Sequence, residues 1–126
     1  MATWDELTVG TECAPREFGP LTRTDFVRYQ GASGDMNPIH VDKSFAQSAG
    51  FKDVILHGLG TLALVAKALP KDLARLQVRF AKPVYPGDAL TTSFWRSGDR
   101  IEFETVNPSG EAVLSQGLAV VRSRTA

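Results

Sequence analysis

The stretch that decides the fold is LGTLALVAKAL, residues 59–69, which Pro70 follows directly. Among its side chains only Lys67 is clearly polar. A helix that is apolar nearly all round is typical of a helix buried on all sides. Proline cannot continue a helix, so Pro70 would end it. The sequence therefore predicts a long buried helix over residues 59–69.

Beyond this helix the hydrophobic period changes from helical to two, which indicates strands. Turns rich in glycine, proline, asparagine and aspartate separate the strands. The predicted strands cover residues 76–80, 90–95, 101–106 and 112–121. Short turns between such strands predict an antiparallel meander, to which residues 7–13 could add a fifth strand. A buried helix packed on one face of an antiparallel sheet is an α+β architecture.

Two capping signals lie before the buried helix. Thr22 and Asp25 form a capping-box pattern, which predicts a short helix that ends near Gly31 or Gly34. Asp42 is a second N-cap candidate, and Gly50 stands where that helix would stop.

Length and charge narrow the class of protein. The chain has 126 residues, which fits one domain over residues 1–126. Its 14 basic and 14 acidic side chains cancel, which argues against nucleic-acid or membrane-surface binding through charge. The single cysteine, Cys13, cannot form an internal disulfide. No apolar run is long enough for a membrane span, and the first residues do not resemble a signal peptide. We expect a cytoplasmic domain without a nucleic-acid or membrane partner.

The segment SGDMNPIHVD, residues 33–42, is the richest in chemistry. Pro38 disfavours helical geometry at Asn37, so we expect an ordered extended loop and not a helix. Such a loop can aim Asp35 and His40 at one point, where a carboxylate and an imidazole around one water make an acid–base pair. The alternative is structural, with Asp35 and Asn37 bonded within a turn and His40 in the core.

The segment ILHGLG, residues 55–60, enters the buried helix, and Gly58 falls at the helix start. A free backbone N–H there is an oxyanion site in outline; the alternative is a tight loop-to-helix joint. Residues 58–63 also match the dinucleotide pattern G-x-G-x-x-A. We reject that interpretation because a strand meander follows, whereas a nucleotide-binding unit needs a parallel sheet.

Two further sets of side chains have weaker patterns. Asp35, His40 and His57 could be imagined as metal ligands, but no metal-binding spacing supports them, so we expect no metal. Arg79 and Lys82, with Arg75 nearby, could meet the phosphates of a substrate carrier. Their alternation along a strand also suits a solvated sheet face.

Residues 29–59 resemble the hydratase motif of the MaoC-like, or (R)-specific enoyl-CoA hydratase, family. The specific part is D-x-N-P-x-H at residues 35–40, followed by His57-Gly58-Leu59. The stretch VRFAKPVYPGD, residues 78–88, resembles the sheet region of the same family. The likeness is weaker before Leu21 and after Leu90.

The resemblance implies a hot-dog fold, with an antiparallel sheet wrapped around a central helix. It implies a homodimer whose sheets join, or a heterodimer with a non-catalytic subunit. The implied reaction is reversible hydration of a trans-2-enoyl thioester of CoA or acyl-carrier protein to the (R)-3-hydroxyacyl thioester, without a cofactor. Asp35 and His40 would be the catalytic pair and the Gly58 amide the oxyanion donor.

The supporting residues of the site would be Ser33, Asn37 and His57. Some family members carry a serine in the central helix near the catalytic aspartate, whereas this chain reads LVAK at residues 64–67. The alternatives are an acyl-CoA thioesterase, which uses the same fold without D-x-N-P-x-H, and a non-catalytic acyl-binding or subunit-stabilising domain.

Overall fold

The computed structural model describes residues 12–70 and 72–122, and from residue 15 onward also the side chains. Five strands and three α-helices make up these ranges. In chain order they are β1 (Glu12–Phe18), α1 (Arg23–Ser33), α2 (Lys43–Ser48), α3 (Gly58–Ala66), β2 (Leu73–Phe80), β3 (Leu90–Ser97), β4 (Arg100–Val106) and β5 (Ala112–Val121), with a 3₁₀ turn at Pro38–His40 before α2. The predicted α+β class is confirmed. Of the stretch predicted as a fifth strand, residues 7–11 lie outside the described ranges, and β1 runs from Glu12.

The strands form one sheet in the order β1-β3-β4-β5-β2, and each neighbouring pair is antiparallel. The four predicted strands are all present, but the prediction of a simple meander is wrong for β2, which pairs with β5 and not with β3. The reason is the connection over residues 81–89, which is too long for a hairpin. Backbone hydrogen bonds from Leu56 to Val84 and from Leu21 to Asp88, both 2.9 Å, hold this connection across the end of the sheet.

Helix α3 is shorter and more exposed than its sequence predicts. It ends at Ala66, three residues before the expected end, and residues 67–69 form a turn that places Ala68 and Leu69 in the core. Leu59 is 65% exposed, and Ala63 and Ala66 are exposed as well. The prediction of burial on all sides is therefore wrong for this chain alone, because the sheet covers only one side of the helix.

The predicted caps are confirmed. The Thr22 side chain and Asp25 form a complete capping box at α1, and Gly34 ends the helix in the left-handed region with φ 76°. The Asp42 carboxylate accepts the Phe45 N–H at 3.1 Å at the start of α2. A hydrogen bond to an N-cap side chain therefore defines the first residue of both helices.

The core has two parts. One lies between the second half of α3 and the sheet, and the other lies beneath α1, α2 and the segment that leads into α3. The first contains Val65, Ala68, Leu69, Phe94, Ile101, Phe103, Leu114 and Ala119; the second contains Leu21, Phe26, Ala46, Val54, Leu56, Val84, Leu90 and Val113. Within the described ranges, none of the helices has the length and apolar content that crossing a bilayer requires.

Gly60 lets α1 approach α3. A Cβ atom at this position would lie 3.1 Å from Leu56 Cδ1 and 3.2 Å from Tyr29 Cδ1. The second glycine of the apparent dinucleotide pattern is therefore needed for helix packing, and the antiparallel sheet agrees with our rejection of nucleotide binding.

An ion pair joins the start of α1 to the segment before α3. The Arg23 guanidinium donates to both carboxylate oxygens of Asp53, at 2.9 and 2.5 Å. The Asp53 carboxylate also accepts the Val54 N–H at 2.7 Å. The hydrogen bond from Arg23 lowers the pKa of Asp53 below the ordinary aspartate value of 3.8, and the same contact raises the pKa of Arg23.

We predict that Asp53→Asn removes a pH-dependent part of the stability. Because the folded-state pKa of Asp53 is lowered, its contribution is present above pH 3.8 and is lost as pH falls through the lower folded-state value. Thermal unfolding at neutral pH should show a small loss for the variant, because the pair is at the surface. The gap to the wild type should close in acid. Glu102→Gln, at an exposed position of β4, is the control. A constant gap at all pH values would contradict the prediction.

Candidate active site

The loop after α1 is built by short local hydrogen bonds. The Ser33 hydroxyl oxygen accepts the Asp35 N–H at 3.2 Å, and the Asp35 carboxylate accepts the Asn37 N–H at 3.2 Å. Asn37 is extended, as expected, with φ −61° and ψ 124°. Pro38 nevertheless begins a 3₁₀ turn, so the expectation of a wholly extended loop is wrong. Proline suits the first position of a helical turn, and the Asn37 side chain caps it by accepting the Ile39 N–H at 3.2 Å.

His40 is buried, with 7% of its surface exposed, and its ring is fixed at one nitrogen. Nδ1 lies 2.8 Å from the Ile55 carbonyl oxygen, so Nδ1–H donates to it. The Ile55 N–H in turn donates to the Ile39 carbonyl at 3.1 Å. In the neutral tautomer that this contact requires, Nε2 carries a lone pair and is free to accept a proton.

Asp35 and His40 converge, as the sequence predicts. Their Oδ2 and Nε2 atoms are 3.8 Å apart, and the Asp35 side chain is 56% exposed while that of His40 is 9% exposed. This separation is longer than a hydrogen bond, which spans about 2.7–3.2 Å. One water beside the gap can therefore reach both atoms.

His57 lies against both members of the pair. It is 3% exposed and is the N-cap residue of α3. Its Nε2 is 3.1 Å from the backbone carbonyl oxygen of Asp35. Its ring stacks on that of His40, with centroids 3.6 Å apart and planes 21° apart, and it also meets the Tyr29 ring edge-on at 4.8 Å.

Gly58 is the first residue of α3, so its N–H has no partner inside the helix. The residue is exposed, and the Phe80 ring packs close to it. A Cβ atom at Gly58 would lie 3.1 Å from Cδ1 of Phe80. Glycine therefore keeps a polar N–H open beside an aromatic wall, and the helix start adds partial positive charge there.

These groups line one cavity of about 480 Å³. Its lining residues are Tyr29, Ser33, Asp35, His40, His57, Gly58, Leu59 and Phe80. Tyr29, Leu59 and Phe80 did not emerge from the sequence as site residues, although the two aromatic residues lie within the stretches that resemble the hydratase family. The cavity places a carboxylate, an imidazole and a helix-start N–H beside apolar walls.

The basic residues of β2 and of the segment after it lie outside this cavity. Arg75, Arg79 and Lys82 are exposed. Lys82 lines a neighbouring cavity of about 250 Å³, which shares Gly58 and Phe80 with the larger one. A role of Arg79 and Lys82 at a carrier phosphate remains a prediction.

A metal site would have to use Asp35, His40 and His57, whose potential ligand atoms lie within 4.8 Å of one another. Imidazole lone pairs lie in the ring plane, and the two rings are stacked nearly parallel. Their lone pairs therefore run side by side and do not point to one ion, as tetrahedral ligands must. The cluster is better arranged for moving protons.

Comparison with known proteins agrees with this geometry. The sequence model of the family described as "MaoC like domain" matches residues 6–116. A "Peroxisomal multifunctional enzyme type 2" from Mus musculus is 47% identical over 92 residues, which are 66% of this chain and 12% of the mouse protein. A "Probable enoyl-CoA hydratase 2" from Dictyostelium discoideum is 35% identical over 105 residues, 75% of this chain and 36% of that protein. The chain thus spans a small part of these curated relatives.

Among solved structures, the unliganded "R-Hydratase PhaJ1" from Pseudomonas aeruginosa superposes with a TM-score of 0.81 and 26% identity. The match covers 96% of this chain and 86% of the other. The expected hot-dog arrangement of sheet and central helix is confirmed by this likeness.

We predict that Asn37→Ala weakens the fold at the site, because the 3₁₀ turn loses its cap. Loss of such a cap costs about 1 kcal/mol, which urea unfolding would measure. Asn37→Ser is the matched control, since a hydroxyl can still accept the Ile39 N–H, and it should restore most of the loss. Equal stability of both variants and the wild type would contradict a capping role.

Proposed function

Because this chain belongs to the MaoC-like domain family, we propose that it adds water reversibly to trans-2-enoyl thioesters, which gives (R)-3-hydroxyacyl thioesters. The observation that carries the proposal is the 3.8 Å approach of Asp35 Oδ2 to His40 Nε2 inside a cavity that also holds Gly58. The relatives named as enoyl-CoA hydratase and R-hydratase support the same reaction class.

The acid–base pair would handle the proton of the attacking water. With Nδ1–H of His40 bonded to Ile55, the Nε2 lone pair is an acceptor, and the Asp35 carboxylate is a second one. One of the two takes a proton from water as the oxygen bonds to C3 of the acyl chain. The electron pair of the double bond moves to C2, and C2 then receives the proton. General acid–base groups typically contribute about 10²–10⁴-fold each.

The Gly58 N–H would stabilise the charge that this addition creates. As hydroxide adds to C3, negative charge passes through C2 to the thioester oxygen. A hydrogen bond from a helix-start amide lowers the energy of that oxygen in the transition state. Asp35, His40 and Gly58 together would therefore be the catalytic groups, with no cofactor needed.

The substrate class follows from the walls of the cavity. Tyr29, Leu59 and Phe80 offer apolar surface to an acyl chain next to the polar groups. The carrier would be CoA or acyl-carrier protein, with Lys82 and Arg79 near its phosphates. Ser33 and Asn37 would support the loop that carries Asp35, through the hydrogen bonds described above.

A second copy of this chain is the partner that we propose. Within residues 12–70 and 72–122, strand β2 is an edge of the sheet and pairs with β5. An unpaired edge strand is a template for another strand. Apolar side chains are exposed near this edge, with Leu76 at 36% and Phe80 at 51%. Pairing of β2 with β2 would join two sheets and cover these side chains.

The cytoplasmic location expected from the sequence also stays a prediction. Some relatives carry "peroxisomal" in their names, so imaging of a fluorescent fusion of the full-length protein would test it.

We predict that the purified protein removes the enoyl absorbance of crotonyl-CoA and that Asp35→Asn and His40→Gln lower this rate by about 10²–10⁴-fold. The reason is that each variant removes one proton acceptor while it keeps the size of the side chain. Asp99→Asn, in the turn between β3 and β4, is the control and should leave the rate unchanged.

Free thiol measured in the same mixtures separates hydration from its alternatives. Loss of the absorbance with an equal amount of released thiol would indicate a thioesterase, because cleavage of the thioester also destroys the conjugated enoyl thioester. Binding of the thioester without either reaction would indicate an acyl-binding or subunit-stabilising domain. Full activity of both site variants would contradict the proposed pair.

We predict a dimer in light scattering, and a monomer for Leu76→Lys, because a buried lysine in the middle of β2 would oppose pairing of the edge. Val27→Lys is the control, since Val27 is 56% exposed on α1, away from this edge. A monomeric wild type at micromolar concentration, or a dimeric Leu76→Lys variant, would contradict the joined-sheet dimer.

A further inference from the structure

His57 contains a buried polar atom that the fold leaves without a partner. Its Nδ1 is fully buried, and none of the described residues offers it a hydrogen bond. Buried polar atoms are nearly always paired, because an unpaired one costs stability. A phenylalanine would fill this place without that cost. The imidazole therefore calls for a reason other than packing.

The other nitrogen supplies the reason. Nε2 lies 3.1 Å from the backbone carbonyl oxygen of Asp35, which can only accept. Nε2 must therefore carry the hydrogen, and in the neutral ring Nδ1 is left with the lone pair. The unpaired atom is thus a consequence of the tautomer that the Asp35 contact requires.

Two neighbouring aromatic rings hold the His57 imidazole in the orientation that this hydrogen bond needs. His40 stacks on one face of His57 at 3.6 Å, and the Tyr29 ring meets it at 4.8 Å. His57 is also the residue directly before Gly58, the first residue of α3. It therefore links three groups: the backbone of Asp35, the ring of His40 and the start of the helix.

We propose that His57 is a positioning residue, whose Nε2–H holds the Asp35 backbone at a fixed place relative to the Gly58 N–H. This inference rests on the proposed hydration, which needs the water at C3 and the oxyanion donor at C1 in one geometry. Without the link, the described residues would hold the loop of Asp35 near α3 through weaker restraints, such as the contacts of His40 and Ile39 with Ile55. Small misplacement of reacting groups lowers rates by as much as about 10²-fold.

Three substitutions separate the hydrogen bond from the packing. His57→Gln keeps an N–H close to the position of Nε2. His57→Asn is chemically matched but too short to reach the Asp35 carbonyl. His57→Phe keeps a stacked ring and has no donor.

The expected rates depend on whether the variant keeps a hydrogen-bond donor to the Asp35 carbonyl. In crotonyl-CoA hydration, the Phe and Asn variants should lose about 10- to 100-fold in kcat, with KM changed by less than about twofold. The Gln variant should recover most of the loss. A Phe variant as active as the wild type, or a Gln variant no better than Asn, would overturn the proposal.

Stability distinguishes positioning from a merely structural role. Because His57→Phe removes the unpaired Nδ1, this gain should offset the lost hydrogen bond to the Asp35 carbonyl, and the melting temperature should stay close to that of the wild type while kcat falls. A melting temperature that falls together with the activity would indicate a structural role and overturn the proposal.

The tautomer of the wild type gives a readout that does not depend on activity. Long-range ¹H–¹⁵N NMR of the imidazole should show the hydrogen of His57 on Nε2, whereas a hydrogen on Nδ1 would overturn the inference. If the wild type failed to hydrate crotonyl-CoA, the proposed function would fall, and the NMR result would still decide the contact with Asp35.

Discussion

The site depends on two hydrogen bonds between the loop after α1 and the segment before α3. The Ile55 N–H binds the Ile39 carbonyl, and the Ile55 carbonyl accepts Nδ1–H of His40. Ile55 thus uses both its backbone N–H and its carbonyl oxygen, and the carbonyl places the hydrogen of the His40 ring on Nδ1. Together with the stacking of the His40 ring on His57, this bridge holds His40 beside the start of α3. A buried bond of this kind gains from the low dielectric around it.

The start of α3 combines close packing with open polar groups. At Gly58 the helix approaches the Phe80 ring, and at Gly60 it approaches Tyr29 and Leu56. Larger side chains at either place would push these elements apart. The two glycines therefore let the backbone of α3 come close to aromatic rings, and Gly58 also keeps its N–H accessible. Tyr29 and Phe80, which pack against these glycines, are also the aromatic residues that line the cavity.

Local chemistry made much of the fold predictable. Thr22 with Asp25, and Asp42, signalled helix starts that the structure contains, and period-two alternation located four strands. The partner of β2 could not be read from the sequence, because alternation says which face is buried but not which strand lies alongside. The exposure of Leu59 was missed for a related reason, since the apolar pattern of α3 does not reveal whether the covering surface belongs to the same chain.

At the site, D-x-N-P-x-H correctly indicated that Asp35 and His40 converge, because a span of six residues that contains a proline allows few chain paths. The stacking of His57 on His40 joins segments that are far apart in sequence, so no spacing rule could signal it. Phe80 was likewise hidden, because within an alternating strand it resembles any other core-facing residue. Long-range contacts of this kind depend on tertiary packing, which single-sequence patterns do not contain.

Strand β2 carries Phe80, and it is also an outer strand of the described sheet. The aromatic wall beside Gly58 therefore stands on the element whose free edge a second chain would occupy. A wall that is half open to solvent in one chain would become fully enclosed in a pair. Enclosure of the pocket would then be coupled to dimerisation, so it would depend on the protein concentration. Dilution of the protein would loosen the pocket before it unfolded the domain.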